Sequence, residues 1–119
     1  MGLRQSRGGA KGTTSIPEDV RRRVRAVVER FNHDNLEPGR CQYEARFRGA
    51  YCYLYRLDLG REGPICRLGY KGEVDNWEFA IFKWSTESYD PREWMFPGAG
   101  LVDGTVEGAM RAGLEAYPA

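Results

Sequence analysis

Hydrophobic residues early in the chain recur at the spacing of an α-helix. Arginines occupy most of this segment, and a single apolar stripe consists of Val20, Val24, Val27, Val28 and Phe31. Ser15, followed by Glu18 three residues later, has the pattern of a capping box at a helix N-terminus. The pattern predicts an amphipathic helix that begins near Ser15 and ends near His33.

The middle of the chain alternates between apolar and polar residues, as β-strands do. Four strands are predicted, at residues 41–47, 51–59, 65–71 and 77–84. The linkers between them are short, which favours an antiparallel meander. A second amphipathic helix is predicted from Asp103 to about Tyr117. The order α-β-β-β-β-α predicts an α+β fold, a two-layer sandwich in which both terminal helices pack on one face of a four-stranded antiparallel sheet.

The register between the first two strands decides which of their side chains face the helices. The second strand carries a tyrosine row, Tyr51, Tyr53 and Tyr55. A two-residue Gly49-Ala50 turn puts this row on the polar face of the first strand, with Arg46. A three-residue loop that ends at Gly49 puts the row on the apolar face, with Phe47. We favour the longer loop, because all the apolar rows then coincide. The predicted core face is Tyr43, Ala45, Phe47, Tyr53, Tyr55, Leu57, Cys66, Leu68 and Tyr70.

The fourth predicted strand is apolar on both faces apart from Glu78 and Lys83. A further segment or a second subunit is therefore expected to cover its second side. Residues 85–101, which follow it, form a long connection with several aromatic side chains. Connections of this length usually bind a partner or wrap the core, so we expect one of these roles here.

Charge is distributed unevenly along the 119 residues, although the net charge is only +1. Residues 1–30 carry eight Lys or Arg against three Asp or Glu, whereas residues 85–119 carry two against six. Residues 1–14 contain no acid and few apolar side chains, which predicts a flexible basic tail before a single domain at 15–119. With no membrane-spanning stretch and no signal-peptide pattern near Met1, we expect a soluble, cytoplasmic protein without a membrane partner.

The residues that commonly perform catalysis are sparse. The three cysteines, Cys41, Cys52 and Cys66, lack CxxC spacing and are predicted to be reduced, buried thiols, with Cys52 facing away from the other two. The single histidine, His33, follows a helix and has no evident catalytic partner. No catalytic residue, metal or cofactor is therefore predicted. An enzyme remains a third hypothesis, with a pocket at the 85–101 connection and Asp90 or Glu93 as its acid or base.

The basic residues provide the leading hypothesis, a small non-enzymatic module that binds nucleic acid. The predicted phosphate contacts on the sheet are Arg46, Arg56, Arg67 and Lys71, and those on the first helix are Arg21, Arg22 and Arg25. The register with the two-residue turn strengthens this hypothesis, because the tyrosine row then lies among the basic residues of the sheet.

The alternative hypothesis is a protein interaction module or a homodimer. Its predicted interface consists of the aromatic residues of the fourth strand and the following connection, namely Trp84, Tyr89, Trp94 and Phe96. Exposed aromatic side chains are typical of the centres of protein interfaces.

Overall fold

The protein is described by a computed structural model that covers residues 15–119, and the predicted basic tail at 1–14 lies outside the described residues. The elements follow in the order α1 (Glu18–Asn35), β1 (Cys41–Arg48), β2 (Tyr51–Asp58), β3 (Arg61–Tyr70), β4 (Trp77–Lys83), β5 (Ser88–Asp90), a short 3-10 helix (Ala99–Leu101) and α2 (Val106–Ala116). The α+β class is confirmed. The sheet has five strands rather than four, because part of the predicted irregular connection pairs with β4.

The sheet is an antiparallel meander in the order β1-β2-β3-β4-β5. Both helices pack on one side of it, which we call the helix-covered face. The core between the helices and this face includes Val24, Val28, Phe31, Leu54, Leu68, Ile81 and Met110. The opposite side of the sheet, which we call the open face, is covered by neither helix.

The hairpin between β1 and β2 has a two-residue loop, because Arg48 pairs with Tyr51. Gly49 has a φ of +60°. A positive φ at the first of two loop residues is typical of a type II′ turn, which matches the twist of the flanking strands. The predicted three-residue loop is therefore wrong, and the two faces of β2 are exchanged relative to that prediction.

The corrected register turns Cys52, Leu54 and Arg56 of β2 toward the helices. Cys52 and Leu54 have no exposed surface, and Arg56 is only 3% exposed. The predicted core face is wrong for the three residues of β2 that it included, Tyr53, Tyr55 and Leu57. The prediction rests on aligning the apolar rows of β1 and β2, but tyrosine side chains tolerate a half-exposed surface, whereas Cys52 and Leu54 benefit fully from burial.

The register also places all three cysteines on the helix-covered face, since Cys41 lies opposite Asp58 and Cys52 opposite Leu68. The thiols are free and buried, as predicted. The predicted opposite orientation of Cys52 is wrong, because it depended on the three-residue loop.

The connection after β4 explains why that strand is apolar on both sides. On the helix-covered face, Trp94 and Phe96 each approach the ring of Phe79 with 5.8 Å between centroids. On the open face, Tyr89 of β5 packs edge to face against Phe82 at 5.1 Å. The predicted covering segment is therefore the chain's own 85–101 connection, which contributes to both faces.

The helix ends differ from the predicted ones in detail. Pro17 occupies the N-cap position of α1 without a side-chain hydrogen bond, so the capping box predicted at Ser15 is not formed. The N-cap of α2 is Thr105, whose hydroxyl accepts a hydrogen bond from the amide of Gly108 at 2.9 Å. The predicted cap, Asp103, instead accepts hydrogen bonds from Thr105 and orients it.

Candidate nucleic-acid interface

Five aromatic side chains, of which Phe82 is buried, form a continuous layer that runs across the open face of the sheet to the end of β4. Successive ring centroids are 6.1, 5.4, 5.1 and 5.0 Å apart along the series Tyr51, Tyr53, Tyr89, Phe82 and Trp84. These distances are those of interacting aromatic pairs, most of which prefer tilted or edge-to-face arrangements. The layer begins at the hairpin end of β2 and finishes just beyond β4, where Trp84 is 56% exposed.

The contact between Tyr53 and Tyr89 spans most of the sheet. Neighbouring strands lie about 4.8 Å apart, so β2 and β5 are about 14 Å apart in a flat sheet. The two rings nevertheless approach to 5.4 Å. They must therefore lean toward each other over β3 and β4. Ala80 of β4 contributes only a methyl group to this face and is 2% exposed, so the layer above it covers it almost completely.

Two arginines are stacked against this layer. The guanidinium carbon of Arg67 lies 4.5 Å from the ring centroid of Tyr51 and 5.6 Å from that of Tyr89. That of Arg46 lies 4.1 Å from the ring centroid of Tyr55. Guanidinium groups at these distances interact favourably with the π-face. The contacts hold both cationic groups against the aromatic surface.

The two arginines differ in their ionic partners. Arg46 forms salt bridges with Glu44 at 3.0 Å and Glu62 at 2.7 Å, and its charge is therefore compensated. Within residues 15–119, no carboxylate lies within 4.0 Å of Arg67 or of Arg48, which is exposed on the same face. Arg48 and Arg67 are thus two arginines of the open face that remain available to an anionic ligand.

A shallow groove of about 290 Å³ opens on this side of the sheet. Its lining consists of Arg46, Phe47, Arg48, Tyr53, Tyr55 and Tyr89. The volume is at the lower limit of small-molecule pockets, which range from about 300 to about 1,000 Å³. The groove therefore suits a small planar group that contacts rings, phenolic hydroxyls and guanidinium groups together.

Tyr89 contributes its phenol to this groove. Burial, with the neighbouring phenols of Tyr55 and Tyr53, raises the pKa of Tyr89 well above its usual range. A phenol with its ordinary pKa is already protonated at neutral pH, so the hydroxyl can donate a hydrogen bond as well as accept one.

The structure brings together only part of the predicted nucleic-acid site. Arg46 and Arg67 share the open face, and Lys71 is exposed directly after the end of β3. Arg21, Arg22 and Arg25 lie on α1, on the other side of the sheet. There, Nε of Arg21 donates to the carbonyl of Ile16 at 3.1 Å, and Arg25 lies 4.9 Å from the ring centroid of Phe47.

The predicted placement of Arg56 on the solvent side is wrong, because the corrected register buries it. Its Nε lies 3.0 Å from each carboxylate oxygen of Asp58. Its Nη1 donates to the carbonyl of Gly113 at 3.3 Å, and its Nη2 donates to the carbonyl of Tyr117. Arg56 therefore caps the C-terminal end of α2, where the unpaired carbonyls of a helix favour a cation.

The predicted protein interface is divided between the two faces of the sheet. Tyr89 belongs to the aromatic layer on the open face, whereas Trp84, at the end of that layer, also lines a pocket with Phe96 and Tyr117. Trp94 and Phe96 pack against the helix-covered side of β4, and Nε1 of Trp94 donates to the carbonyl of Pro91 at 3.1 Å. Trp84 therefore lies between the two groups of this predicted interface.

The candidate acid and base of the third hypothesis are both paired with one lysine. The Nζ atom of Lys83 lies 3.0 Å from Glu93 and 3.7 Å from Asp90. The hydrogen bond from Lys83, with one from the backbone amide of Met95, lowers the pKa of Glu93. Glu93 is therefore ionised at neutral pH, which favours a structural role over that of a general acid.

The three buried thiols are poorly suited to nucleophilic chemistry. Burial raises the pKa of Cys41 to about 11 and that of Cys52 to about 12. These thiols are protonated at neutral pH and are weak nucleophiles. Across residues 15–119, no group of three or more His, Cys, Asp or Glu side chains is arranged to hold a metal ion.

The predicted nucleic-acid residues did not include Arg48, and the tyrosine row joined them only under the two-residue turn, which the prediction did not favour. The signal that identifies them is Gly49, the first residue of a two-residue loop. A type II′ turn has glycine as the first of its two loop residues, because that residue adopts a positive φ. If the preference of the turn for glycine takes priority over the alignment of the apolar rows, the sequence predicts the observed register between β1 and β2.

None of the helices in the described part of the chain is long and apolar enough to cross a lipid bilayer. Comparisons of the chain with family models, with curated proteins and with solved structures found no match.

Proposed function

We propose that the open face of the sheet binds nucleic acid. The observation that carries this proposal is the position of Arg67, which lies between Tyr51 and Tyr89 and has no carboxylate partner within the described residues. A guanidinium held against aromatic rings is partly desolvated and fixed in orientation. Arginines of this kind are well suited to phosphate, because they present a rigid set of donors.

The aromatic layer supports the same proposal. Its tyrosines are only half-buried, and its last member, Trp84, is mostly exposed. Nucleobases stack on aromatic rings and on guanidinium planes irrespective of their sequence. The open face thus supplies surfaces for bases beside Arg48 and Arg67, which are available for phosphates.

Fluorescence anisotropy with a labelled oligonucleotide of mixed sequence tests this proposal directly. Arg67→Gln removes the central cation and is expected to weaken binding at least fivefold at about 50 mM salt. The matched control is Arg30→Gln, which removes the same charge from an exposed residue of α1. That control should bind within twofold of the wild type. The proposal is wrong if the wild type does not bind, or if the two variants bind equally well.

Exposed apolar side chains favour self-association as a second candidate function. Trp94 is 46% exposed and the adjacent Met95 is 92% exposed. Light scattering at high protein concentration should then detect a dimer, and Met95→Ser should shift the equilibrium toward the monomer. A strictly monomeric wild type contradicts this candidate and leaves the nucleic-acid proposal intact.

A further inference from the structure

We propose that the open face binds a single strand of nucleic acid, with one base held in the groove between Arg46, Arg48, Tyr53, Tyr55 and Tyr89. This inference rests on the proposed function and specifies its ligand class. The open face would recognise an unpaired base and the phosphates on either side of it, and both RNA and DNA contain these groups. A duplex is the competing ligand, and it interacts with proteins through different chemistry.

The first argument comes from the geometry of the aromatic layer. Its rings, all of them accessible except the buried Phe82, are connected through contacts of 5.0 to 6.1 Å and form a surface rather than isolated protrusions. Bases present their π-faces to such a surface only when they are unstacked, because a duplex buries those faces between base pairs. A ring surface therefore gains stacking contacts from a single strand and few from a duplex.

The second argument comes from the charge of the open face. Arg46 is compensated by Glu44 and Glu62, and Glu78 adds a further carboxylate on the same side. Duplex DNA carries one charge for about every 1.7 Å of its axis, and proteins bind it mainly through many phosphate contacts. Two uncompensated arginines supply little of this attraction. The face is better suited to a ligand that is held by stacking as well as by charge.

The third argument comes from the groove. It is only about 290 Å³ in volume and lies where the rings of Tyr53 and Tyr89 meet at 5.4 Å. The hydroxyl of Tyr89, like other phenols at neutral pH, is protonated and can donate a hydrogen bond. Phenolic hydroxyls and guanidinium groups at the edge of a ring surface can hydrogen-bond the polar edge of a base. In a duplex, the Watson–Crick edge is occupied by the opposite strand.

The experiment compares labelled probes of about 12 nucleotides, a length within the range of single-strand sites. The probes are oligo(dT), oligo(rU), a mixed-sequence single strand and its duplex. The wild type is expected to bind the single strands at least tenfold more tightly than the duplex. The two homopolymers distinguish DNA from RNA as the preferred source of the strand.

Two substitutions at one site separate stacking from other effects. Tyr53→Leu keeps an apolar side chain but removes the ring, and it should weaken single-strand binding about tenfold. Tyr53→Phe keeps the ring and should bind within threefold of the wild type. Circular dichroism and thermal unfolding establish that both variants are folded. Tyr51→Leu provides a second removal of a ring if Tyr53→Leu fails to fold.

The possible outcomes distinguish this inference from the proposed function. Equal or tighter binding of the duplex, with a loss of affinity in Arg67→Gln, overturns the single-strand inference and leaves the proposed function standing. Unchanged single-strand binding in Tyr53→Leu and Tyr51→Leu also overturns it, because the strand then binds elsewhere. The absence of binding to all four probes overturns both.

Discussion

The side-chain amide of Asn32 in α1 forms two hydrogen bonds with the backbone of Tyr43 in β1. Its Nδ2 donates to the carbonyl of Tyr43 at 3.0 Å, and its Oδ1 accepts from the amide of Tyr43 at 2.9 Å. β1 is an edge strand of the sheet, so this amide occupies backbone groups that another strand could otherwise pair with. A helix residue thus replaces a neighbouring strand at one position.

Substitution of Asn32 should therefore be costly. Asn32→Leu leaves a buried amide and a buried carbonyl of Tyr43 without partners, and each unsatisfied group costs about 1–3 kcal/mol. We expect a loss of at least about 2 kcal/mol in the free energy of unfolding, measured by urea denaturation. The control is Asn35→Leu, at an exposed residue of the same helix. Similar losses in the two variants would contradict the role assigned to Asn32.

Arg56 provides a second test of the core. It connects Asp58 of β2 with the carbonyls of Gly113 and Tyr117 at the end of α2. Arg56→Met removes the cation and leaves Asp58 without its partner, so we expect a loss of about 3 kcal/mol. Arg56→Lys should recover only part of this stability, because lysine lacks the planar set of donors.

Arg61→Met is the matched control for Arg56→Met, since Arg61 is exposed at the start of β3. It should change the unfolding free energy by less than about 0.5 kcal/mol. The comparison is made from urea midpoints at a constant m-value. If Arg56→Met is as stable as the control, the guanidinium does not join the helix to the sheet.

The close approach of α2 to the sheet can be tested with a single methyl group. A Cβ atom on Gly113 would lie 2.5 Å from Oη of Tyr43 and 2.6 Å from Cγ2 of Ile65. Although alanine favours helices, Gly113→Ala should destabilise the protein by about 1–3 kcal/mol, because α2 must move away from the sheet. Gly100→Ala, where nothing lies within 4 Å of the added Cβ, should be nearly neutral. A neutral Gly113→Ala variant would show that the helix adjusts freely.

The sequence predicted the larger features of the fold because each had a local signal. The apolar stripe around Val24 predicted α1, and the alternation around Tyr43 predicted β1. The small residues in the sequence of α2, such as Ala109, Ala112 and Gly113, are typical of a helix that approaches a sheet closely, and Gly113 makes that approach. The periodicity of the hydrophobic residues and the short linkers between strands were sufficient to predict the order of helices and strands along the chain.

The side-chain arrangement of the sheet could not be predicted in the same way, because it depended on one loop. A difference of one residue at Gly49 exchanges the faces of β2. It moves Arg56 from the surface to the core and Tyr53 from the core to the open face. The contact between Tyr53 and Tyr89 could not be predicted either, because it joins strands that are not neighbours. Strand β5 has only three residues, too few for a recognisable alternation.

The salt dependence of binding provides a quantitative test of the proposed interface. Arg48 and Arg67 lack carboxylate partners in the described part of the chain. Lys71, which follows the strand that contains Arg67, is exposed. Each phosphate contact to a single strand contributes about −0.7 to the slope of log affinity against log salt concentration. Three contacts predict a slope of about −2, and Arg67→Gln should reduce it to about −1.4. A slope near zero would show that the cations do not contact phosphate.

The buried thiols predict that the protein becomes less stable at alkaline pH. Burial raises the pKa of Cys41 to about 11, that of Cys52 to about 12 and that of Cys66 well above its ordinary value of 9.0. Above about pH 9, the unfolded chain loses its thiol protons whereas the folded chain keeps them. Because the unfolded state then binds fewer protons, the free energy of unfolding decreases as the pH rises.

Stability should therefore be constant up to about pH 8 and should fall from about pH 9 toward about pH 11, with each thiol contributing up to about 1.4 kcal/mol per pH unit. Urea midpoints measured under reducing conditions across this range test the expectation. Cys52→Ala removes one of these groups and should make the decrease shallower, even though the variant begins from a lower stability at neutral pH. Tyrosine, with an ordinary pKa of about 10, is only about one-tenth ionised at pH 9, so the thiols, which titrate at lower pH in the unfolded chain, dominate the onset of the decrease. A decrease of equal steepness in the wild type and in Cys52→Ala would show that the Cys52 thiol is not protected from ionisation by the core.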